Sequence, residues 1–190
     1  MDDQVPNLEI KTFGGNPNLF IRGVGNNDFN GTTVSPVSIY SDDVLQGMPG
    51  GQLMQMFDLE RVEVLRGPQG TLFGRNTTGG AINFYSRKPG NRQEGYLRVG
   101  IGSYNSREVE AAGTIIAIDG KLATRVAGKM QANDGDRRNL FDGSRANATD
   151  LAAMRAITRY TPSSDVEVLW NLHYGRHRSD YQQGKPVGAL

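Results

Sequence analysis

The sequence predicts a mostly β chain in two parts, a small glycine-punctuated unit over residues 1–90 and an array of antiparallel strands over 91–190. Three observations carry this reading. Residues 58–89 run strand, glycine-rich crossing, strand, and close on Pro89. From Gly95 onward, segments of roughly ten residues alternate apolar and polar positions between turns, which is the pattern of a transmembrane barrel wall. The chain also lacks any long uncharged apolar run, which excludes a transmembrane helix but not a barrel, whose strands need only alternate.

Composition narrows the function classes. Of 190 residues, 21 are Lys or Arg and 20 are Asp or Glu, and this balance of +1 gives no argument for a nucleic-acid partner. Cysteine is absent, so neither a disulfide framework nor a thiolate metal site can form. The opening MDDQVPNLEIK is acidic and polar, without the basic start and apolar core of an export signal.

Taken in order, Val5 to Thr12 is a short extended piece entered through Pro6, and Asn18 to Arg22 reads as a strand ending at Gly23-Val24-Gly25. A polar loop, Asn26 to Thr33, follows. Gly23 and Gly25 do not make a dinucleotide loop, because Asp28 stands at the third glycine position and no helix follows. Val37 to Tyr40 alternates and leads into Asp42-Asp43 before Val44-Leu45, a hairpin signal. Gln52 to Phe57 suits a short helix. Val62 and Val64 alternate with Glu63 and Leu65 in a half-buried strand that Gly67-Pro68 stops. Asn76 to Gly80 forms a loop, and Ala81 to Ser86 resumes as a second strand.

In the second half, Leu97, Val99, Val109, Ile115, Val126, Met130, Trp170 and Leu172 fall on one face of the expected strands. Arg98, Glu108, Glu110, Arg125 and Lys129 fall on the other. Asp119-Gly120 and Pro162 to Asp165 are tight turns, whereas Asn133 to Asn147 and Gly175 to Gly184 read as longer loops. Outer-membrane barrels alternate short periplasmic turns with longer extracellular loops in this way.

The central stretch resembles the plug domain of TonB-dependent outer-membrane receptors. The resemblance rests on Glu60-Arg61-Val62-Glu63-Val64-Leu65-Arg66-Gly67-Pro68, then Gly70, Leu72-Phe73-Gly74, Gly79-Gly80, Ile82-Asn83 and Arg87-Lys88-Pro89, in the family's order. Phe20 to Gly25 and the Tyr40-x-Asp42 hairpin also have the family's wording, except that Asp43 replaces the usual glycine and leaves the turn type open.

The resemblance implies an α+β plug with a small mixed sheet over residues 1–90, followed by about five strands of a barrel that is complete at about 22. It implies a Gram-negative outer-membrane location, with an export signal and TonB box upstream of residue 1. The implied activity is import of a scarce nutrient, commonly a ferric siderophore and sometimes cobalamin, haem or a glycan. Its partners would be TonB with its inner-membrane energising complex and the outer-membrane lipid, with no nucleic acid and no cofactor. The family also implies that Arg22, Asn26, Asn27, Phe29, Gln46 and Phe57 face the ligand, and that Arg66, with Glu63 and Arg61, meets the barrel wall.

The residues alone leave alternatives open. Arg22 can pair with Asp28 or Asp58, Phe57 can belong to a core, and Arg61 and Glu63 can pair locally. A soluble all-β binding or adhesion module would also alternate. No enzymatic constellation emerges: Gly74 is followed by Arg75-Asn76, not the Lys-Ser/Thr of a phosphate loop, and His173 and His177 lack the glutamate of a zinc-protease helix.

Overall fold

The computed structural model describes residues 6–13, 16–26, 34–47, 56–138 and 143–180. Most of the helix expected over 52–57 lies outside these residues, as do Asn27 and Phe29. Strand β1 (Leu8–Phe13) pairs with β2 (Asn16–Ile21) as an antiparallel hairpin. Strands β3 (Val37–Ser41), β4 (Val44–Leu45), β5 (Leu59–Arg66) and β6 (Gly80–Ser86) form a second sheet in the order β4-β3-β6-β5. Within it β3 and β6 run parallel and the other neighbours antiparallel, so the sheet is mixed.

Burial follows position in this sheet. Every residue of the central strand β3 is buried, and β6 is buried at all positions but one. The outer strand β5 carries Glu60, Arg61, Glu63 and Arg66, charges that discourage a sheet edge from pairing with another chain. Leu8, Leu19 and Ile21 of the hairpin pack on Val37, Ile39, Ile82 and Phe84 to form one core. The glycine-rich crossing holds a single helical turn, α1 (Gly70–Phe73), that periodicity does not reveal. Tyr40 fastens it by donating its hydroxyl to the Phe73 carbonyl at 2.5 Å, with the two rings edge to face at 5.0 Å.

The Asp42-Asp43 turn resolves the question raised by the missing glycine. Both residues have positive φ, 49° and 65°, the type I′ geometry that matches strand twist. Aspartate tolerates this backbone less well than glycine, but here each carboxylate is bonded. Asp42 accepts the Ser86 N–H at 2.8 Å and the Ser86 hydroxyl at 2.7 Å, while Asp43 accepts Asn83 Nδ2 at 2.6 Å and the Tyr85 hydroxyl at 2.9 Å.

The rest of the chain forms one antiparallel sheet. Strands β7 (Gly95–Gly102), β8 (Ser106–Ile118) and β9 (Leu122–Asn133) precede a small hairpin of β10 (Arg137–Arg138) and β11 (Arg145–Ala146). Strands β12 (Thr149–Ser163) and β13 (Val166–Ser179) complete the order β13-β12-β9-β8-β7. Residues 175–179, expected in a loop, are strand instead, because β12 begins at Thr149 and pairs with β13 out to Ser179. The turns at Gly120 and Ser164 share one end, where Thr161 bonds to the Gly120 and Lys121 carbonyls. The Ser103 to Asn105 turn and the β10–β11 hairpin lie at the other.

The two faces of this sheet differ sharply. Leu97, Val99, Ile101, Val109, Ile115, Val126, Met130, Met154, Trp170, Leu172 and Tyr174 are exposed on the outward face. On the inward face Glu110, Ala112, Thr114, Ala123, Arg125, Ala127, Ala153, Arg155 and Ile157 are buried, because the first unit packs there. Among the described residues no helix is long and apolar enough to cross a membrane, which leaves strand crossing untouched.

Gly80 is where the first unit tolerates least change. Its φ is 147°, and an added Cβ would lie 2.4 Å from the Leu65 carbonyl and 2.8 Å from Ile21 Cδ1. Gly80→Ala should therefore destabilise this sheet by about 1–3 kcal/mol, read as earlier proteolysis of residues 1–90 in denaturant. An unchanged protease profile would mean that the backbone relaxes freely there.

Candidate functional site at the seam between the two sheets

The segment that feeds β5 is where the two sheets meet. Phe57 is only 2% exposed and sits on Ala112, Ala127 and Ala153 of the inward face, with Tyr96 and Leu151 packed around it. Alanines at these positions leave room for the backbone of residues 57–58 to approach the wall. The Arg155 guanidinium covers the ring, its carbon 4.7 Å from the centroid, a cation–π contact strengthened by exclusion of water.

Asp58 is held through every polar group it owns. Its carboxylate takes a two-pronged contact from Arg125, Nε to Oδ2 and Nη2 to Oδ1, both 2.7 Å, and both side chains are 2% exposed. Arg125 also donates to the Thr114 hydroxyl at 3.0 Å and lies 3.7 Å from Glu94. The Asp58 carbonyl accepts Arg155 Nη2 at 2.9 Å and the Arg87 N–H at 3.1 Å, and the same Arg155 nitrogen bonds the Phe57 carbonyl at 2.7 Å. The Asp58 N–H points to Glu110 Oε1 at 3.4 Å, and Glu110 accepts the Tyr96 hydroxyl at 2.5 Å. Asp58 has a φ of 47°, a backbone strain that this surrounding set of bonds over-determines.

Burying ions is costly unless partners are complete, and the paired geometry here is the strong, charge-assisted kind. A second tie joins the sheets where Asn171 Nδ2 of β13 donates to Asp42 Oδ2 at 3.1 Å. Beside the Asp58 clamp a cavity of about 360 Å³ opens between Leu59, Arg87, Tyr96 and Arg98.

The residues singled out from sequence distribute unevenly. Arg61 bonds Glu63 at 2.7 Å, two residues along the same strand face, and stacks on Tyr85 with its guanidinium carbon 3.7 Å from the ring centroid. The bond that Tyr85 gives to Asp43 pushes its phenol above the ordinary value. Arg66 is exposed at the far end of β5. Among the described residues, the contacts with these five strands include those of Asp42, Phe57 and Asp58, and Arg61 and Glu63 pair locally, one of the two arrangements the sequence leaves open. Phe57, expected to face a ligand, is buried in the seam with Arg155 over its ring, and it borders the cavity beside the clamp.

Arg22 and Gln46 lie elsewhere. Arg22 is exposed with φ 52° in the turn after β2, beside the end of β6, since a Cβ on Gly79 or Gly80 would collide with Val24 or Ile21. That end is separated from Phe57 by the eight residues of β5, about 25 Å of strand. Gln46 donates its N–H to the Ile39 carbonyl at 2.8 Å, alongside the middle of β3. Asn26 is partly buried near Arg22, and Asn27 and Phe29 lie outside the described residues. Sequence reasoning missed Asp58, Arg155 and Asp42 as contacts. The signal was available in Arg125 and Arg155, charged residues at inward strand positions that demand acceptors from whatever packs on that side.

A small mixed sheet clamped to the buried face of an antiparallel wall is the arrangement of a plug-bearing receptor. Residues 2–81 match the family model described as TonB-dependent Receptor Plug Domain. The pesticin receptor of Yersinia pestis is 34% identical over 157 residues, covering 80% of this chain and 22% of that protein. The ferrioxamine receptor of Yersinia enterocolitica is 30% identical over 118 residues, 60% of this chain and 16% of its own length. Among solved structures, the ferric yersiniabactin uptake receptor of Yersinia pestis superposes with a TM-score of 0.76 at 29% identity, over 84% of this chain and 25% of that one. Residues 2–81 are thus a plug domain of the TonB-dependent receptor kind, and the chain spans about a fifth of the length of the pesticin receptors it matches.

Removing the Asp58 carboxylate strands Arg125 in a buried place. Asp58→Ala in the complete receptor should cost about 3–5 kcal/mol of plug docking, and adding Arg125→Met should recover part of that loss. Thermal unfolding of the purified variants measures both. Additive losses in the double variant would show that the two groups are not coupled.

Proposed function

We propose that this chain is the plug, residues 1–90, and the first five wall strands, residues 91–190, of an outer-membrane receptor that imports a ferric siderophore. The observation that carries this is the polarity of the wall. One face is bonded to the plug through Asp58, Arg125 and Arg155, while the other exposes a continuous apolar surface that a soluble protein would have to cover. That apolar face meets outer-membrane lipid. It also disfavours the soluble binding or adhesion module. Its relatives bear the names of pesticin, ferrioxamine and ferric-pyoverdine receptors. TonB, driven by its inner-membrane complex, acts on the plug from the side of the short turns at Gly120 and Ser164.

The family resemblance puts the loop after β2 under the ligand, and on that ground the end of the plug sheet bearing Arg22 is assigned to the outward side. On this reading Arg22, Asn26 and Gln46 form the floor under the ligand, and the cation and amides suit an anionic or hydroxyl-rich chelate. Arg22→Ala and Gln46→Ala in the complete receptor should weaken binding of the radio-iron-loaded siderophore roughly ten-fold each, within the range of a charged hydrogen bond. Phe57→Ala should leave affinity intact while lowering the unfolding temperature. Equal affinity in all three variants would remove Arg22 and Gln46 from the site.

A further inference from the structure

The outward face of the wall is uncharged over most of its height and then changes abruptly. Reading across the sheet by register, Val99, Val109, Met130 and Ala152 form one outward row, and Leu97, Ala111, Gly128, Met154 and Tyr174 the next. Below them come Gly113, Val126, Ala156 and Leu172, then Ile115, Thr124, Thr158 and Trp170. None of these carries a charge at neutral pH. The charges begin at the end of the strands remote from the Gly120 and Ser164 turns. There the outermost row is Ile101, Arg107, Ala132, Asp150 and Arg178, and Arg176 stands beside Ala152 at the margin of the apolar rows.

All three arginines are exposed. Arg176 is paired with Asp150 at 3.3 Å, an ion pair about half exposed on each side and therefore weak. Arg107 donates from Nε and Nη2 to the Asn105 side-chain carbonyl at 3.1 and 2.8 Å, and Asn105 in turn donates to Asp134 at 3.3 Å. Three cations against Asp150 within the patch leave a net positive outward surface. Arg107 and Arg178 are three strand spacings apart, about 14 Å, with Arg176 filling in below Arg178.

We propose that Arg107, Arg176 and Arg178 form a site for the phosphate groups of an outer-leaflet glycolipid, the phosphorylated disaccharide head of lipopolysaccharide. The proposal rests on the reading of the wall as membrane-embedded with its Gly120 end periplasmic. The position of the patch selects the source of the phosphate. An anion bound there sits directly above rows of apolar side chains that accept acyl chains, so a phosphate carried on a lipid gains both contacts and a free one gains only the first. Asp150 limits the site by competing for Arg176, which makes its removal informative.

The test uses the complete receptor purified from outer membranes, with lipid A as the probe. Retained lipid A is counted by mass spectrometry, and affinity is measured with vesicles carrying diphosphorylated or dephosphorylated lipid A. Arg107→Gln, Arg176→Gln and Arg178→Gln together should lower affinity for the phosphorylated form by about five-fold per arginine, with siderophore binding unchanged. Asp150→Asn should raise it. Equal retention in the triple variant, equal binding of the dephosphorylated lipid, or displacement by millimolar inorganic phosphate would overturn the proposal, the last pointing to a free-anion site. A receptor absent from the outer-membrane fraction would fail the functional reading itself. One present there, binding siderophore yet indifferent to the three arginines, would fail only this inference.

Discussion

The contact between Asp58 and the two wall arginines is the constraint on which the arrangement of the two sheets depends. Arg125 and Arg155 lie on neighbouring strands of the inward face and are almost wholly buried. Such charges cannot be left dry without partners. Asp58 supplies the carboxylate for one and, with Phe57, the carbonyl oxygens for the other. Because these groups sit on the residues that lead into β5, satisfying them also sets where the mixed sheet begins and how it meets the wall.

The charges at this junction are divided between the two units. Here the wall provides the cations and the plug the acid. The cations of β5 satisfy themselves along their own strand, as Arg61 does with Glu63 and the Tyr85 ring. A guanidinium suits the wall position because its fixed fork can bond a carboxylate on two prongs, or two successive carbonyls, without moving the strand that carries it. The alanines at 112, 127 and 153 complete the fit by keeping the floor low enough for the Phe57 ring.

The same alternation that turns Arg125 inward turns Val126 outward, so a single periodicity serves two solvents. On the plug side it provides small and charged residues for a polar seam, and on the other side an apolar band that ends in arginines at one rim only. This asymmetry between rims is a property of where charge stops along each strand. It makes the two rims of the sheet differ as well as its two faces.

Much of the fold was legible in the sequence. Alternation over residues 95–174 placed the five long strands and their faces, because a half-buried strand must alternate whatever surrounds it. The glycines and prolines at 67–68, 79–80 and 119–120 marked the crossings, and β3 and β6 were visible as apolar runs. What sequence could not settle was pairing between distant segments. The parallel neighbour of β3 is β6, some forty residues later; Asp43 keeps a turn made for glycine by bonding Asn83 and Tyr85; and the carboxylate that answers Arg125 lies sixty-seven residues before it. Local patterns record the period of a strand and the side that must be dry, since those are decided by each residue and its near neighbours. Which buried charge meets which is decided only when the sheets pack, so Asp58 became a clamp and Phe57 a seam residue through tertiary structure alone.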